Sequence, residues 1–145
     1  MTDTKEIDDI ISRSAVCRLA LSENNLPYIV PVCFGYRNGA LYVHSAREGK
    51  KIDILRKNKN VCIAFDVDHE LVKASSACTW GMKYRSVICY GTASLVDDDR
   101  TKREALDIIM EHYSTGSFVY DHRKLADSII IKITIDSMTG KKSGY

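Results

Sequence analysis

The sequence lacks the features that mark several large classes of protein. Its 145 residues contain no apolar run near the roughly 20 residues that a membrane-spanning helix needs. The mixed-charge start Met1–Glu6 is not typical of a secretory signal. A net charge of only +2 is too small to indicate binding to nucleic acid or to a membrane surface. We therefore expect a cytoplasmic protein that binds neither.

The cysteines and histidines show no arrangement typical of a metal site. The five cysteines form no Cys-x-x-Cys pair, and the histidines lack the spacing of zinc ligands. Four cysteines lie in apolar, strand-like runs and are predicted to be reduced core thiols: Cys17, Cys33, Cys62 and Cys89. Cys78 lies beside polar residues and is expected to be exposed. No Gly-x-Ser-x-Gly elbow indicates a serine nucleophile.

The sequence does contain a strand-rich pattern over a single domain, residues 1–145. Helices are predicted near 3–12 and 48–58 and from 97–99 onward. Strands are predicted at 15–21, 28–37, 40–45, 61–67, 87–96 and 128–136. Because strands and helices do not alternate, the order excludes a doubly wound parallel sheet. It favours a mainly β (α+β) fold, a six-stranded antiparallel barrel with peripheral helices.

Three residues or pairs constrain this barrel further. Asn38-Gly39 favours a type I′ turn between two strands. Pro31 cannot donate a ladder hydrogen bond, so its strand is predicted to have a free edge or a bulge. Gly91 interrupts an apolar strand, which indicates a bend or a close approach of another backbone.

The segment His44–Lys51 joins the end of a predicted strand to the start of a predicted helix. The first turn of a helix has unpaired N–H groups and a positive dipole end, and both stabilise an anion. Ser45 and His44 add possible donors, and Gly49 permits close backbone approach. Positive charge comes from Arg47, Lys50 and Lys51. The segment therefore predicts a phosphate site, although a solvated helix start with a serine cap would use the same residue types.

Three patches of sequence resemble the FMN-binding split-barrel superfamily, which is named after pyridoxamine 5′-phosphate oxidase. They are Val30–Tyr36, Leu41–Ala46 with Gly49–Lys51, and Tyr84–Ile88 with Gly91. Within this superfamily the sequence is most similar to the nitroimidazole-resistance (Nim) type of flavoprotein, and the ending Asp136–Lys141 is also typical of that branch. The resemblance implies a split-barrel fold from about Arg18 onward.

The resemblance also implies a cofactor, FMN, and a set of residues that hold it. In the family, the segment matching Ser45–Lys51 holds the FMN phosphate, with Lys51 as the main cation and Lys50 assisting. The strand matching Pro31–Cys33 runs along the ring system, and Tyr84–Ser86 also contributes. The implied cofactor-binding residues are Pro31, Val32, Cys33, His44, Ser45, Ala46, Lys50, Lys51, Tyr84, Arg85 and Ser86. Family members are homodimers with each flavin between two subunits.

The function implied is that of an FMN-dependent oxidoreductase. It would take electrons from NAD(P)H or another donor and reduce a small acceptor, with nitroimidazoles as one candidate class. His44 is a candidate to orient a substrate or donate a proton, or it is structural; Trp80 is a candidate substrate contact. Oxidation of pyridoxamine phosphate is not expected, because the tail Gly140–Tyr145 lacks the arginine- and histidine-bearing motif for that substrate. The alternatives are a non-catalytic flavin-binding protein for sensing or storage, and a relative that binds haem or a deazaflavin.

Overall fold

One antiparallel sheet of seven strands dominates the computed structural model, which describes residues 1–145. The strands are β1 Cys17–Glu23, β2 Leu26–Val32, β3 Gly35–Arg37, β4 Ala40–Ala46, β5 Asn60–Val72, β6 Gly81–Val96 and β7 Ser128–Ser143. The helices are α1 Thr4–Arg13, α2 Lys50–Lys57, α3 Asp99–Tyr113 and α4 His122–Ala126, with a 3-10 turn at Ala77–Thr79. The strand order is β2-β1-β5-β6-β7-β4-β3. No helix combines the length and the apolar character needed to span a membrane.

The sheet has seven strands where six were predicted, because the single strand expected at 28–37 is two strands. β2 forms one edge of the sheet and β3 the other, with only Cys33 and Phe34 between them. Three residue steps span at most about 11 Å, so the two edges approach each other here and the sheet curls into a split barrel. The antiparallel, mainly β class with peripheral helices is confirmed.

Packing at Phe34 and Gly35 explains the break. The Phe34 side chain is fully buried, and its backbone N–H donates to the Tyr113 hydroxyl at 3.1 Å instead of to a strand. Gly35 lies so close to α3 that a Cβ atom there would be 2.6 Å from the Ile108 backbone. The apolar pattern of 28–37 is continuous, so it does not indicate that the chain crosses from one edge of the sheet to the other at Cys33 and Phe34.

The turn and edge predictions are confirmed. Asn38 and Gly39 have φ angles of 51° and 74° and join β3 to β4 as a tight hairpin. Pro31 lies in β2, a strand that pairs only with β1. A Cβ atom on Gly91 would lie 2.6 Å from the Thr134 carbonyl oxygen, and the β6–β7 register shifts at this glycine.

The predicted strands in the second half of the chain were too short. β5 and β6 form a long hairpin, and β7 continues beyond the predicted end at 136 as far as Ser143. Lys141 lies opposite Ser86 in this extended ladder. The extension is polar and alternates weakly, which explains why hydrophobic periodicity missed it.

The cysteine prediction is confirmed for two of the four core thiols. Cys17 and Cys89 are buried, and burial raises the pKa of each thiol to about 12. Cys33 is exposed because it lies at the crossing between the two sheet edges. Cys62 lies half-buried on the outer sheet face, opposite Ala20 and Tyr90. Cys78 is exposed, as expected.

Candidate functional site

The start of α2 differs from the other helix starts. α1, α3 and α4 begin at Asp3, Asp98 and Asp121, whose carboxylates accept backbone N–H groups. α2 begins after Gly49, whose φ of 133° suits glycine, and no side chain caps it. The first-turn N–H groups of α2 therefore have no capping acceptor, and their positive dipole end is available to an anion.

Two lysines add positive charge at this helix start. Lys50 and Lys51 form no ion pair within the chain. The Lys50 ammonium lies 4.8 Å from the ring centroid of Tyr28, which places the beginning of α2 beside β2. Cations in a first turn oppose the helix dipole, so this arrangement stabilises the protein only when an anion is present.

Arg47, the third cation of the segment, is not available for an anion. Its guanidinium donates to both carboxylate oxygens of Asp97 at 2.6 Å and to the Ala126 carbonyl oxygen at 2.5 Å. Hydrogen bonds from Arg47, and then from Lys102, lower the pKa of Asp97 to about 2. Arg47 is therefore paired within the chain, and Lys50 and Lys51 are the unpaired cations of the segment.

His44 and Ser45 occupy adjacent positions of β4 and point to opposite faces. Ser45 is buried, and its hydroxyl donates to the Ala46 carbonyl oxygen at 3.0 Å. His44 lines a mostly apolar cleft of about 410 Å³ together with Leu106, Met110, Val119, Tyr120, Asp121, Lys124, Leu125 and Ser128. Partial loss of hydration, and then the charge of Lys51, lower the pKa of His44. The lowered pKa favours the neutral imidazole, which has one N–H to donate.

β2 passes beside the start of α2 at Tyr28, near the beginning of the strand. Its outer edge has no strand partner, so backbone groups on that side remain free for a ligand. Pro31 faces the outside of the sheet, Val32 packs against the core, and Cys33 is exposed just beyond the strand. The free edge, together with the contact between Lys50 and Tyr28, makes a shared surface between β2 and α2.

The segment Tyr84–Ser86 lies at the other end of the sheet. Ser45 pairs with Ile129, and the neighbouring Ile130 pairs with Val96 of β6. Ser86 comes ten residues before Val96 on that strand, a path of roughly 33 Å along the curved strand at about 3.3 Å per residue. Tyr84–Ser86 and the α2 start therefore lie at different levels of the β6 ladder.

Arg85 belongs to a polar cluster on the inner side of β6. It donates to Asp68 at 2.6 Å, and its guanidinium lies 4.0 Å from the ring centroid of Tyr145. Asp68 also accepts two hydrogen bonds from Arg13, and these partners lower its pKa to about 2. Tyr84 and Ser86 point to the opposite, outer face, where Ser86 lies opposite Asp66 and Lys141.

Trp80 lies near the Tyr84 end of the sheet and not near α2. Its indole is about half exposed, and its N–H donates to the Ala74 carbonyl oxygen at 2.7 Å. It follows the 3-10 turn directly before β6. Trp80 therefore lies near Tyr84–Ser86 and apart from the candidate residues at the start of α2.

The outer face of the central sheet carries exposed apolar side chains. The exposed fractions are 62% for Ile29, 58% for Tyr90 and 36% for Ile88. Ala20 and Ala64 lie between them in register, so the middle of this face is low and flat. A contiguous apolar patch of this kind is typical of an interaction surface.

Sequence reasoning missed two residues that adjoin the site, Asp97 and Lys102. The run Asp97–Asp99 predicts only the start of a helix, which Asp98 caps in the structure. Lys102 is 3% exposed, in a helix where a lysine would be expected on the surface. No group of three or more His, Cys, Asp or Glu side chains could hold a metal ion.

Comparison with known proteins agrees with this fold. The family model described as pyridoxamine 5′-phosphate oxidase matches residues 3–142. No curated protein matches the chain. A crystal structure from Bacteroides thetaiotaomicron, assigned provisionally as a 5-nitroimidazole antibiotic resistance protein, is 38% identical, with a TM-score of 0.87 over 97% of this chain and 84% of that one.

More distant structures share the fold. The FAD- and haem-binding protein of Mycobacterium smegmatis is 21% identical, with a TM-score of 0.89 over 100% of this chain and 73% of that one. The flavocytochrome Anf3 of Azotobacter vinelandii is 19% identical, with a TM-score of 0.87 over 100% and 69% of the two chains. The match over residues 3–142 and the 38% identity show that the chain belongs to the pyridoxamine 5′-phosphate oxidase family of flavin-binding split barrels.

Proposed function

We propose that the protein is an FMN-dependent oxidoreductase that reduces small electron acceptors at a flavin held between two subunits. The observation that carries the proposal is the start of α2, where an uncapped helix end and two unpaired lysines lie together. A phosphate monoester carries about −1.5 to −2 charges near neutral pH, which two lysines can match. Family membership supports a flavin as the molecule that bears this phosphate.

The residues present fit the phosphate end of FMN. Lys50 and Lys51 supply charge, and the first-turn N–H groups of α2 supply neutral donors. Ser45 can join them if its hydroxyl turns away from the Ala46 carbonyl oxygen. The free edge of β2 at Pro31–Cys33 offers backbone groups to the ring system.

The second subunit in this proposal follows from the separation of the two halves of the site. Tyr84 and Ser86 lie ten or more residues along β6 from the level of Ser45, and a flavin shared between two chains accounts for both sets of residues. In a two-fold dimer, each α2 start would meet the Tyr84–Ser86 segment of the partner subunit, and the pairing would occur twice. The exposed face of Ile29, Ile88 and Tyr90 provides apolar surface for such an interface.

Arg85 has a different role from its neighbours in this proposal. Its pairing with Asp68 and its stacking against Tyr145 hold the end of β6 in place. Tyr84 and Ser86, on the outer face, are then the two residues of the segment presented to the other subunit.

Bound FMN would supply the electron transfer, and the protein would position it and exclude competing reactions. His44 stays neutral near pH 7, so it can donate one hydrogen bond to an acceptor in the adjoining cleft. The apolar lining of that cleft suits a small, flat molecule such as a nitroaromatic compound or a quinone.

The visible spectrum and steady-state turnover of the purified protein test this proposal. We expect an oxidised-flavin spectrum, release of FMN on denaturation, and oxidation of NADH or NADPH with a panel of nitroimidazoles and quinones. Because free FMN also reacts slowly with such compounds, an equal concentration of free FMN is the control. A haem or deazaflavin spectrum would contradict the FMN assignment.

A second candidate function is flavin binding without turnover, for sensing or storage. It is favoured because the features that support the site all concern binding of the cofactor: the uncapped α2 start, the unpaired lysines and the free edge of β2. Stoichiometric FMN with no activity above that of free FMN would support this function and contradict the enzymatic one.

A further inference from the structure

A polar cluster of Arg47, Asp97 and the buried Lys102 adjoins the loop that precedes α2. We propose that Asp97 and Lys102 are positioning residues that hold the loop 47–49 in the conformation that receives a phosphate. This inference rests on the proposed function, because it concerns the same helix start. It assigns a task to two residues that contact no candidate ligand and that the sequence did not single out.

Arg47 connects this cluster to the loop. Its guanidinium makes two parallel hydrogen bonds of 2.6 Å to Asp97 and a third, of 2.5 Å, to the Ala126 carbonyl oxygen. A bidentate pair fixes the guanidinium plane as well as its position. The residue directly after β4 is thereby fixed, three positions before α2 begins.

Lys102 holds the other side of Asp97. Its ammonium donates to Asp97 Oδ1 at 3.1 Å, to the Leu125 carbonyl oxygen at 2.8 Å and to the Ser128 carbonyl oxygen at 3.1 Å. All three donors of the ammonium are therefore used. Since Leu125 lies in the last turn of α4, the cation also interacts favourably with that helix dipole.

The burial of Lys102 indicates that its ammonium group, and not only its volume, is needed at this position. Only 4% of its side chain is exposed, and desolvating an ammonium is unfavourable unless its partners are well placed. An apolar side chain would occupy the same site without that cost, but it could not fix Asp97. The cluster ties the loop 47–49 to α3, α4 and the start of β7 at once.

The consequence for binding is a loop that is already ordered before the ligand arrives. The other end of the loop is fixed because Ile52, Ile54 and Leu55 bury α2 against the core. If the loop were free, only a fraction of molecules would present the α2 N–H groups correctly, and the apparent affinity would fall by that fraction. The effect concerns the phosphate alone, because the cluster does not touch β2.

The test compares two ligands that differ only in the phosphate. FMN and riboflavin are titrated by flavin fluorescence into flavin-free Asp97→Asn, Lys102→Met and wild-type protein. We expect the Kd for FMN to rise by about tenfold in both variants if the ordered loop falls to about a tenth of molecules. The Kd for riboflavin should change by less than about twofold, because riboflavin makes no phosphate contact.

The controls separate positioning from a loss of stability. Arg103→Gln removes a surface pair with Asp99 one residue from Lys102 and should leave both Kd values unchanged. Asp97 is half exposed, so Asp97→Asn should fold even if Lys102→Met does not. Equal changes for FMN and riboflavin, or an unchanged Kd for FMN in Asp97→Asn, would overturn the inference while leaving the proposed function intact. A wild-type protein that binds neither flavin would overturn both.

Discussion

At the scale of single residues, the site is defined by which charges are free and which are already paired. From the sequence, Arg47 was expected at the phosphate and Arg85 at the flavin, and each is bound to an aspartate in the structure. Lys50 and Lys51 remain without a carboxylate partner, beside an uncapped helix start. Sequence could place the basic segment correctly, but the carboxylate partners come from residues 50 and 17 positions away, and no local pattern connects them.

A substitution at Lys51 tests whether an unpaired lysine at the start of α2 binds the phosphate. Lys51→Ala should weaken FMN binding by about 1.5–3 kcal/mol, the contribution of a charge-assisted hydrogen bond. A fluorescence titration measures the change. Arg56→Ala, at the far end of the same helix, is the matched control and should leave the affinity unchanged. An unaltered Kd in Lys51→Ala would remove this lysine from the site.

His44 gives the second residue-scale prediction, through pH. Its pKa is lowered in the folded protein by partial loss of hydration and by Lys51, so the unfolded chain binds the proton more readily. The flavin-free protein should therefore lose stability as the pH falls from about 6.5, the ordinary pKa of histidine, through the lower folded value. Thermal unfolding of wild type and His44→Gln between neutral and acidic pH measures this loss of stability. Because only wild type takes up a proton at this position, it should lose stability relative to His44→Gln as the pH falls, and parallel curves would contradict the assignment.

At the scale of elements, local chemistry predicted turns and edges better than strand limits. The Asn38-Gly39 hairpin, the edge position of Pro31 and the close approach at Gly91 each depend on backbone chemistry that the residue type fixes. The crossing at Phe34 depends instead on contacts with α3, which lies about 75 residues later in the chain. Long-range packing of this kind determines the number of strands, and hydrophobic periodicity in the sequence does not indicate it.

A substitution at Gly35 tests whether the crossing at Phe34 depends on contacts with α3. Gly35→Ala should destabilise the protein by about 1–3 kcal/mol, the usual cost of overpacking, because its Cβ would overlap the Ile108 backbone at 2.6 Å. Denaturant unfolding gives the free energy. Gly81→Ala is the control, since a Cβ there meets nothing within 4 Å and its φ is not positive. Equal stability of the two variants would mean that α3 does not lie against β3 as described.

At the scale of the whole molecule, the proposed second subunit would bring the two separated parts of the candidate site to one flavin. The sequence resemblance placed Tyr84–Ser86 and Ser45–Lys51 around one flavin, whereas the β4–β7–β6 register separates them. A single sequence contains no signal for which contacts lie within a chain and which lie between chains. The exposed apolar face of the sheet is the one feature of the monomer that indicates where the second chain would lie.

Charge introduced on that face should therefore separate the subunits and release the flavin together. Tyr90→Arg places an unpaired cation at the centre of an apolar surface, where burial against a like copy would be strongly unfavourable. Arg100→Glu changes charge on α3, at a side chain that is 90% exposed, and serves as the control. In sedimentation velocity, wild type and Arg100→Glu should be flavin-loaded dimers and Tyr90→Arg a monomer with little bound flavin. A Tyr90→Arg monomer that retains stoichiometric FMN would place the whole site in one chain, and the partner subunit's role in binding would have to be abandoned.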